Sequence, residues 1–374
     1  RREHLMQKSF LYRVILMPTA VFLSVLFGAS YGSGREVMEF VSSNGPSGGL
    51  VALLVLITTH VVVLGLSFEL TRLYKVYDYV SFFKVLLKKG WFAYEIVIIV
   101  GLVIALSITA TVGGTIVGDK FDFDARLGTA AIFILVVLLT YFGREIVAKS
   151  MMLSVVALFV VLAVLIWQIF QSETAAIAAA FREHPHEWSG LSTGLMYAIG
   201  GGGYLPLLLY CAMGLRTRAE VVTSALAAAT IAAIPALIFH LAFMANFPAI
   251  VEEEIPAYWM LENLSSPMML NFYVLVMFVL VAQTGVGVLQ GLIERVDKWY
   301  EARTGQPMAA LGHSGLAGGV FLVCTAFGTM GITALILRGY MVMFGGFIVV
   351  FIIPLVTHGV YLVYSKVGSK QEEN

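Results

Sequence analysis

Gly28-Ala29-Ser30-Tyr31-Gly32-Ser33-Gly34-Arg35-Glu36 interrupts the first long apolar stretch of this 374-residue chain near its middle. A second interruption, Gly200-Gly201-Gly202-Gly203-Tyr204 followed by Pro206, sits in the sixth such stretch. Glycine is too free and proline too restricted to favour a helix interior. Unwinding inside a bilayer is costly unless the freed backbone is buried in protein or lines a polar cavity. Two breaks in corresponding places, one in each half, point to a transporter whose substrate lies between discontinuous helices at mid-membrane.

Composition agrees. The chain is 59% hydrophobic and 12% charged, with a mean hydropathy of +0.90. Ordinary soluble domains carry about 25% charged residues. The formal net charge of zero is uninformative because the charges are segregated along the chain. Cys211 and Cys324 both lie in apolar runs, where they read as small core residues without a disulfide framework. The first apolar run is expected to be a retained helix and not a cleaved signal. No basic stripe suited to nucleic acid is present.

A span needs roughly 20 apolar residues. Spans are expected near 10–42, 49–70, 91–113, 127–143, 145–170, 190–214, 217–247, 267–296, 310–329 and 340–364, with the fourth and fifth divided at Gly143-Arg144. Lys and Arg are distributed 18 against four between the two sets of connections, and Arg35 lies inside a span. The positive-inside rule then places both termini in the cytoplasm of a multi-pass protein of the inner (plasma) membrane. The segment 71–90 is basic and aromatic and is expected to lie at the interface as a helix. The connection 248–266, with Pro248, Pro256, Tyr258 and Trp259, is expected to form a short helical hairpin at the outer mouth.

Split five and five, each half opens with a glycine-broken span. Because five is odd, the halves must lie in opposite orientations, as in an inverted repeat. The expected fold is an all-α integral membrane protein of ten transmembrane helices in a 5+5 arrangement. Residues 1–170 form the first repeat, 171–189 an outer loop, 190–364 the second repeat and 365–374 a cytoplasmic tail. This pattern resembles the LeuT fold of the amino acid–polyamine–organocation superfamily over essentially the whole chain. The run Gly28 to Glu36 resembles the YkvI-type branch. The resemblance implies alternating access coupled to Na⁺ or H⁺, often with amino-acid-like substrates.

The residues at the breaks carry the candidate chemistry. A half-helix beginning near Gly34 would present its positive end, so Ser30, Gly32, Ser33 and Gly34 are expected to line a substrate carboxylate. Gly200, Gly201, Gly202 and Gly203 would supply the opposite wall and Tyr204 a lid. The alternative is that these glycines serve close helix packing. Ionisable residues inside spans are functional candidates; Arg35 would replace the charge of a bound cation or receive an anionic group of the substrate, the alternative being a local ion pair or an outer-vestibule charge. Glu36 and Glu39 would neutralise Arg35 or carry a proton. The resemblance places Arg35 where many sodium-coupled relatives carry an Asn that ligates Na⁺, and a guanidinium there would repel that ion. The family's other sodium site would take carbonyls of Gly28 and Tyr31, the Val281 carbonyl and the Thr284 hydroxyl. Gly285 stands where a second hydroxyl is often found.

Ser107 and Gln283 complete the expected substrate contacts. Ser107 shares a face with Thr111, which helix-to-helix hydrogen bonding explains equally well. His60 and His240 are proton-coupling candidates, or else hydrogen-bonded structural residues. Arg13 with Glu294 or Asp297 would make a reversible cytoplasmic gate. No metal-ligand spacing appears, so no metal beyond Na⁺ and no other cofactor is expected. Neither His-Glu-x-x-His nor Gly-x-Ser-x-Gly is present, which argues against an enzyme. A small-molecule substrate and lipid are the expected partners, with a second copy of the chain as a further candidate. The leading reading is an ion-coupled secondary transporter of a small organic solute. A solute sensor on the same fold and a small-solute or ion channel are the alternatives.

Overall fold

The computed structural model describes residues 9–26, 28–122, 124–142, 144–184, 188–328 and 332–372. Among them every regular element is helical. That follows from long apolar runs whose backbone groups must find partners within the segment itself. Five runs are long and apolar enough to cross a membrane: Arg35–Tyr74, Phe92–Gly118, Arg218–Met244, Pro267–Glu294 and Leu335–Lys366. Two bent pairs meet the same test jointly. They are Val156–Ser172 with Thr174–Glu183, bent by 74°, and Gly190–Gly203 with Leu205–Gly214, bent by 66°. Shorter apolar helices are Leu11–Leu26, Leu127–Thr140 and Ala310–Cys324, and the run Arg35–Tyr74 joins the end of the expected first span to the second. The chain is a multi-pass membrane protein. The division expected at Gly143-Arg144 turns on residue 143, which lies outside the described residues.

Apolar side chains line the outside as well as the core. Leu54, Trp167 and Val342 are 66%, 67% and 67% exposed. Water would penalise so broad an apolar surface, whereas lipid tails suit it. Inside, small residues let helices approach. A Cβ on Gly190 would lie 2.0 Å from the Gly48 carbonyl oxygen, and one on Gly194 would lie 2.4 Å from that of Ala52. This four-residue spacing of glycines brings spans two and six into direct backbone contact.

Two short elements close the ends. The chain leaves Gly45–Tyr74 through Lys75 and re-forms a helix at Tyr79–Leu87. Asp78 caps that helix by accepting a hydrogen bond from the Ser81 amide at 2.9 Å. Its Phe83 stacks on Tyr94 with ring centres 4.1 Å apart. At the opposite end, Pro256–Leu264 forms a helix within the connection expected to make a hairpin. The Ala257 amide donates to the Ser33 carbonyl at 3.1 Å, so this connection is tied to the first break.

Candidate functional site

The first span is interrupted twice. Helix Met17–Leu26 ends, a short turn of helix spans Ala29–Gly32, and Arg35–Phe40 begins after a turn at Ser33-Gly34. Gly34 has φ 79°, and a Cβ there would also meet Phe243 Cζ at 2.8 Å. Both conformation and space therefore require glycine. The Gly34 amide donates to the Tyr31 carbonyl at 2.9 Å, and Tyr273 donates its hydroxyl to the Gly32 carbonyl at 3.2 Å. Ser33 donates to the Ser30 carbonyl at 2.7 Å and accepts from the Arg35 amide at 3.2 Å. The half-helix starting at Arg35 is six residues long, and its first N–H is already occupied by Ser33.

Arg35 and Glu36 point to different surroundings. Arg35 is buried and donates to the carbonyls of Val251 and Glu253 at 3.0 and 2.8 Å, and to Glu39 at 2.7 Å. Only Nε lacks a protein partner. The guanidinium expected to meet an anionic substrate group is held here by the 251–253 loop and Glu39. Glu39 accordingly neutralises Arg35. Glu36 is half-buried and accepts a hydrogen bond from Tyr340 at 2.7 Å. The Ser30 side chain lies beside both groups. Among the described residues no cationic side chain lies within salt-bridge distance of Glu36. Four residues on, Phe40 lies between Tyr197 and Tyr340, with ring centres 5.3 and 6.4 Å away and planes within 9° and 16° of parallel.

The sixth span differs from its expectation. Gly200 to Gly203 remain helical, and the bend begins one residue later at Tyr204. Added Cβ atoms at Gly200 and Gly203 would meet Phe344 and Phe347 at 2.3 and 2.1 Å, and one at Gly201 would meet Leu26 at 2.6 Å. These glycines act in packing, with spans one and ten pressed onto their helix. Beyond the bend, Leu205–Gly214 is a tighter 3₁₀ helix opened by Pro206. Tyr204 donates to the Met343 sulfur at 3.1 Å and packs edge-on to Phe347.

The ion pair at Arg13 has a different partner from the one expected for a gate. Arg13 pairs with Glu220 and not with Glu294 or Asp297. Its Nη1 lies 2.7 Å from Glu220 Oε2 and 2.8 Å from the Gly214 carbonyl, and Nη2 binds Glu220 Oε1. Asp297 instead accepts from the Met308 amide at 2.6 Å and faces His313 at 3.4 Å. Physically, Glu220 wins because it stands at the start of the helix that follows the sixth span, directly against Arg13. Thr217-x-x-Glu220 was legible as a helix-capping sequence, and Thr217 does cap the Glu220 amide. Nothing local shows that Glu220 also reaches the first span.

The remaining candidates scatter. Thr284 donates to the Leu280 carbonyl at 2.9 Å, leaving its lone pairs free to accept, and its methyl lies 4.0 Å from the Cβ position of Gly28. Tyr31 packs edge-on to Phe239. Val281 is buried, its side chain against Gly113. Ser107 donates to the Val103 carbonyl within its own helix. Gln283 is 1% exposed, and neither of its amide atoms has a protein partner. His60 contacts the Ala198 carbonyl at 3.1 Å and Phe22 edge-on. His240 bridges Ser42 and the Pro46 carbonyl, each at 3.0 Å. A cavity of about 290 Å³ reaches Gly28, Tyr31 and Gly32 from the side of Leu158, Phe239 and Leu280, and none of Gly200 to Tyr204 lines it. Tyr197, Tyr340 and Glu220 were absent from the sequence-based candidates, since neither tyrosine lies within the two glycine-rich stretches that marked Tyr31 and Tyr204, and nothing local ties Glu220 to the first span.

No protein-family model and no curated protein matches this chain. Solved structures do match. One is MhsT in complex with L-phenylalanine, at 14% identity and a TM-score of 0.51, covering 86% of this chain and 80% of that one. Another is an Eremococcus coleocola manganese transporter in complex with an aromatic bis-isothiourea substituted compound. It matches at 14% identity and a TM-score of 0.53, covering 92% of this chain and 78% of that one. At such identity the likeness is one of fold, and the fold is the all-α LeuT type.

Proposed function

We propose that this chain is a secondary transporter that moves a small, amino-acid-like organic solute by alternating access. The observation that carries the reading is the turn at Ser33-Gly34, which breaks a span in mid-course and sets an ionisable residue, Glu36, beside it. Broken backbone and intramembrane carboxylates are both expensive in lipid, so their co-occurrence argues for a working site. The fold supports this, as does the likeness to a protein holding L-phenylalanine and to a manganese transporter. The segregation of Lys and Arg supports both termini in the cytoplasm. The Gly28 to Glu36 run supports a YkvI-like branch.

For the coupling ion, the Gly28 carbonyl and the Thr284 hydroxyl are the candidate oxygen ligands of a Na⁺, a hard cation that prefers oxygen; the two residues are neighbours through the Thr284 methyl. Glu36 is the alternative, as a proton carrier. Proteoliposome uptake under imposed Na⁺ and H⁺ gradients tests the whole reading. Saturable uptake that stops when one gradient is collapsed is the expected result. Binding without flux would instead define a sensor, and non-saturating flux indifferent to gradients would define a channel. If sodium is the driver, Thr284→Val should raise the Na⁺ concentration for half-maximal uptake about tenfold, as loss of one ligand hydroxyl implies.

A further inference from the structure

Resting on the transporter reading, we propose that the Glu36 carboxylate, walled by Tyr197, Tyr340 and Phe40, is the counter-ion for the ammonium group of an amine-bearing substrate.

The adjacent pair Arg35-Glu36 gives the first reason. A charged side chain within a span is tolerated when it is paired, hydrogen-bonded or neutralised. Glu39 has Arg35 at 2.7 Å. Glu220 has Arg13, and Glu69 has Arg72 at 2.7 Å. Glu36 has only the neutral hydroxyl of Tyr340, with Ser30 alongside. Among the described residues no positive charge balances it, and on this proposal the substrate supplies that charge.

The walls give the second reason. Glu36 and Phe40 are four residues apart and share one face of their helix. That face meets the Tyr197–Phe40–Tyr340 stack, contributed by three different spans. Tyr31 and Tyr204 also lie within electrostatic reach of Glu36. Aromatic faces are electron-rich and attract organic cations. A hard inorganic cation asks for a closed shell of oxygens, whereas an ammonium group is satisfied by a carboxylate, a hydroxyl and ring faces. Glu36, Tyr197, Tyr204 and Tyr340 each keep part of their surface accessible, while Arg35 is buried. Charge selection at this site therefore falls to the carboxylate.

The test uses the full chain in lipid nanodiscs and matched sets of solutes. Each set comprises an amino acid, its decarboxylated amine and its deaminated acid, such as L-leucine, isoamylamine and 4-methylpentanoate. Thermal stabilisation and competition report binding, and proteoliposome flux is measured in parallel. Amine-bearing members should bind and deaminated acids should not. Glu36→Gln should weaken amine binding about 30-fold or more, and Tyr340→Phe about 3- to 10-fold.

A deaminated acid binding as tightly as its parent overturns the proposal. So does unchanged amine affinity in Glu36→Gln accompanied by lost gradient-driven accumulation, which would assign the carboxylate to the coupling ion and leave the transporter reading standing. Failure of every amine to bind also overturns it. Absence of flux under every gradient overturns the transporter reading beneath it. Should Glu36→Gln not fold, unchanged amine affinity in Tyr340→Phe decides against the proposal.

Discussion

The first and sixth spans are both broken beside glycines, yet the glycines do different things. At Gly34 the backbone itself turns, with φ 79°. At Gly200 to Gly203 the helix runs on, and the glycines make room for Leu26, Phe344 and Phe347. The bend follows at Tyr204 and Pro206, where the chain tightens into a 3₁₀ helix. One break is conformational and the other follows a packing surface. The two spans then meet again at the end of the bundle, where Arg13 of the first holds the Gly214 carbonyl at the end of the sixth.

The sharpest way to break this comparison is at Gly34. Gly34→Ala combines a left-handed residue with a contact to Phe243 at 2.8 Å, and should cost about 4 kcal/mol in thermal stability measured in detergent. Trimming the partner, as in the double variant with Phe243→Leu, should restore only the steric part, because the backbone strain remains. Full restoration would show that Gly34 too is a packing glycine.

Next in size is the clamp by which Arg13 ties the first span to the end of the sixth and to Glu220 in the helix that follows it. Arg13→Gln leaves Glu220 without its charged partner in a poorly solvated place, and should cost about 3 kcal/mol of the clamped arrangement. Val14 is 0% exposed beside it. A Val14→Cys reporter should react with a thiol reagent about tenfold or more faster when Arg13 is replaced, since the clamp sets how often the half-helix opens. Equal reactivity would mean that the ion pair does not hold the first half-helix in place.

The smallest effects belong to the sixth span. Gly203→Ala should cost about 2 kcal/mol by overpacking against Phe347, and Phe347→Leu should recover most of it. Gly202→Ala meets nothing closer than Val63 at 3.5 Å, and should stay within about 0.5 kcal/mol of the parent, helped by the better helix propensity of alanine. A severe loss at Gly202 would return that stretch to the class of unwound backbone.

Much of the architecture was legible because its causes are local. Apolar runs of the right length, glycines in the first span and the basic ends of the connections all act through near neighbours in the chain. The same locality explains the misreading of Gly200 to Gly203. A glycine needed for its conformation and a glycine needed for close approach look alike in sequence. What separates them here is Phe344 and Phe347, which come from another span. The partner of Arg13 was hidden for a similar reason. Arg13 had acidic residues at several span ends to choose from, and only the placement of Glu220 against it decides the choice.

By itself, the order of residues determined that this is a helical membrane protein with a break at Ser33-Gly34, because hydropathy, helix period and the left-handed freedom of glycine belong to the chain. It also set Arg35 with Glu39, and Glu36 with Phe40, on neighbouring helical faces. Tertiary structure alone decided what each face would meet. The 251–253 carbonyls surround Arg35, and Tyr340 and Tyr197 flank the Glu36 face. Charge in a low-dielectric interior is governed by its nearest partners, and apart from Glu39 those partners lie more than 150 residues away along the chain.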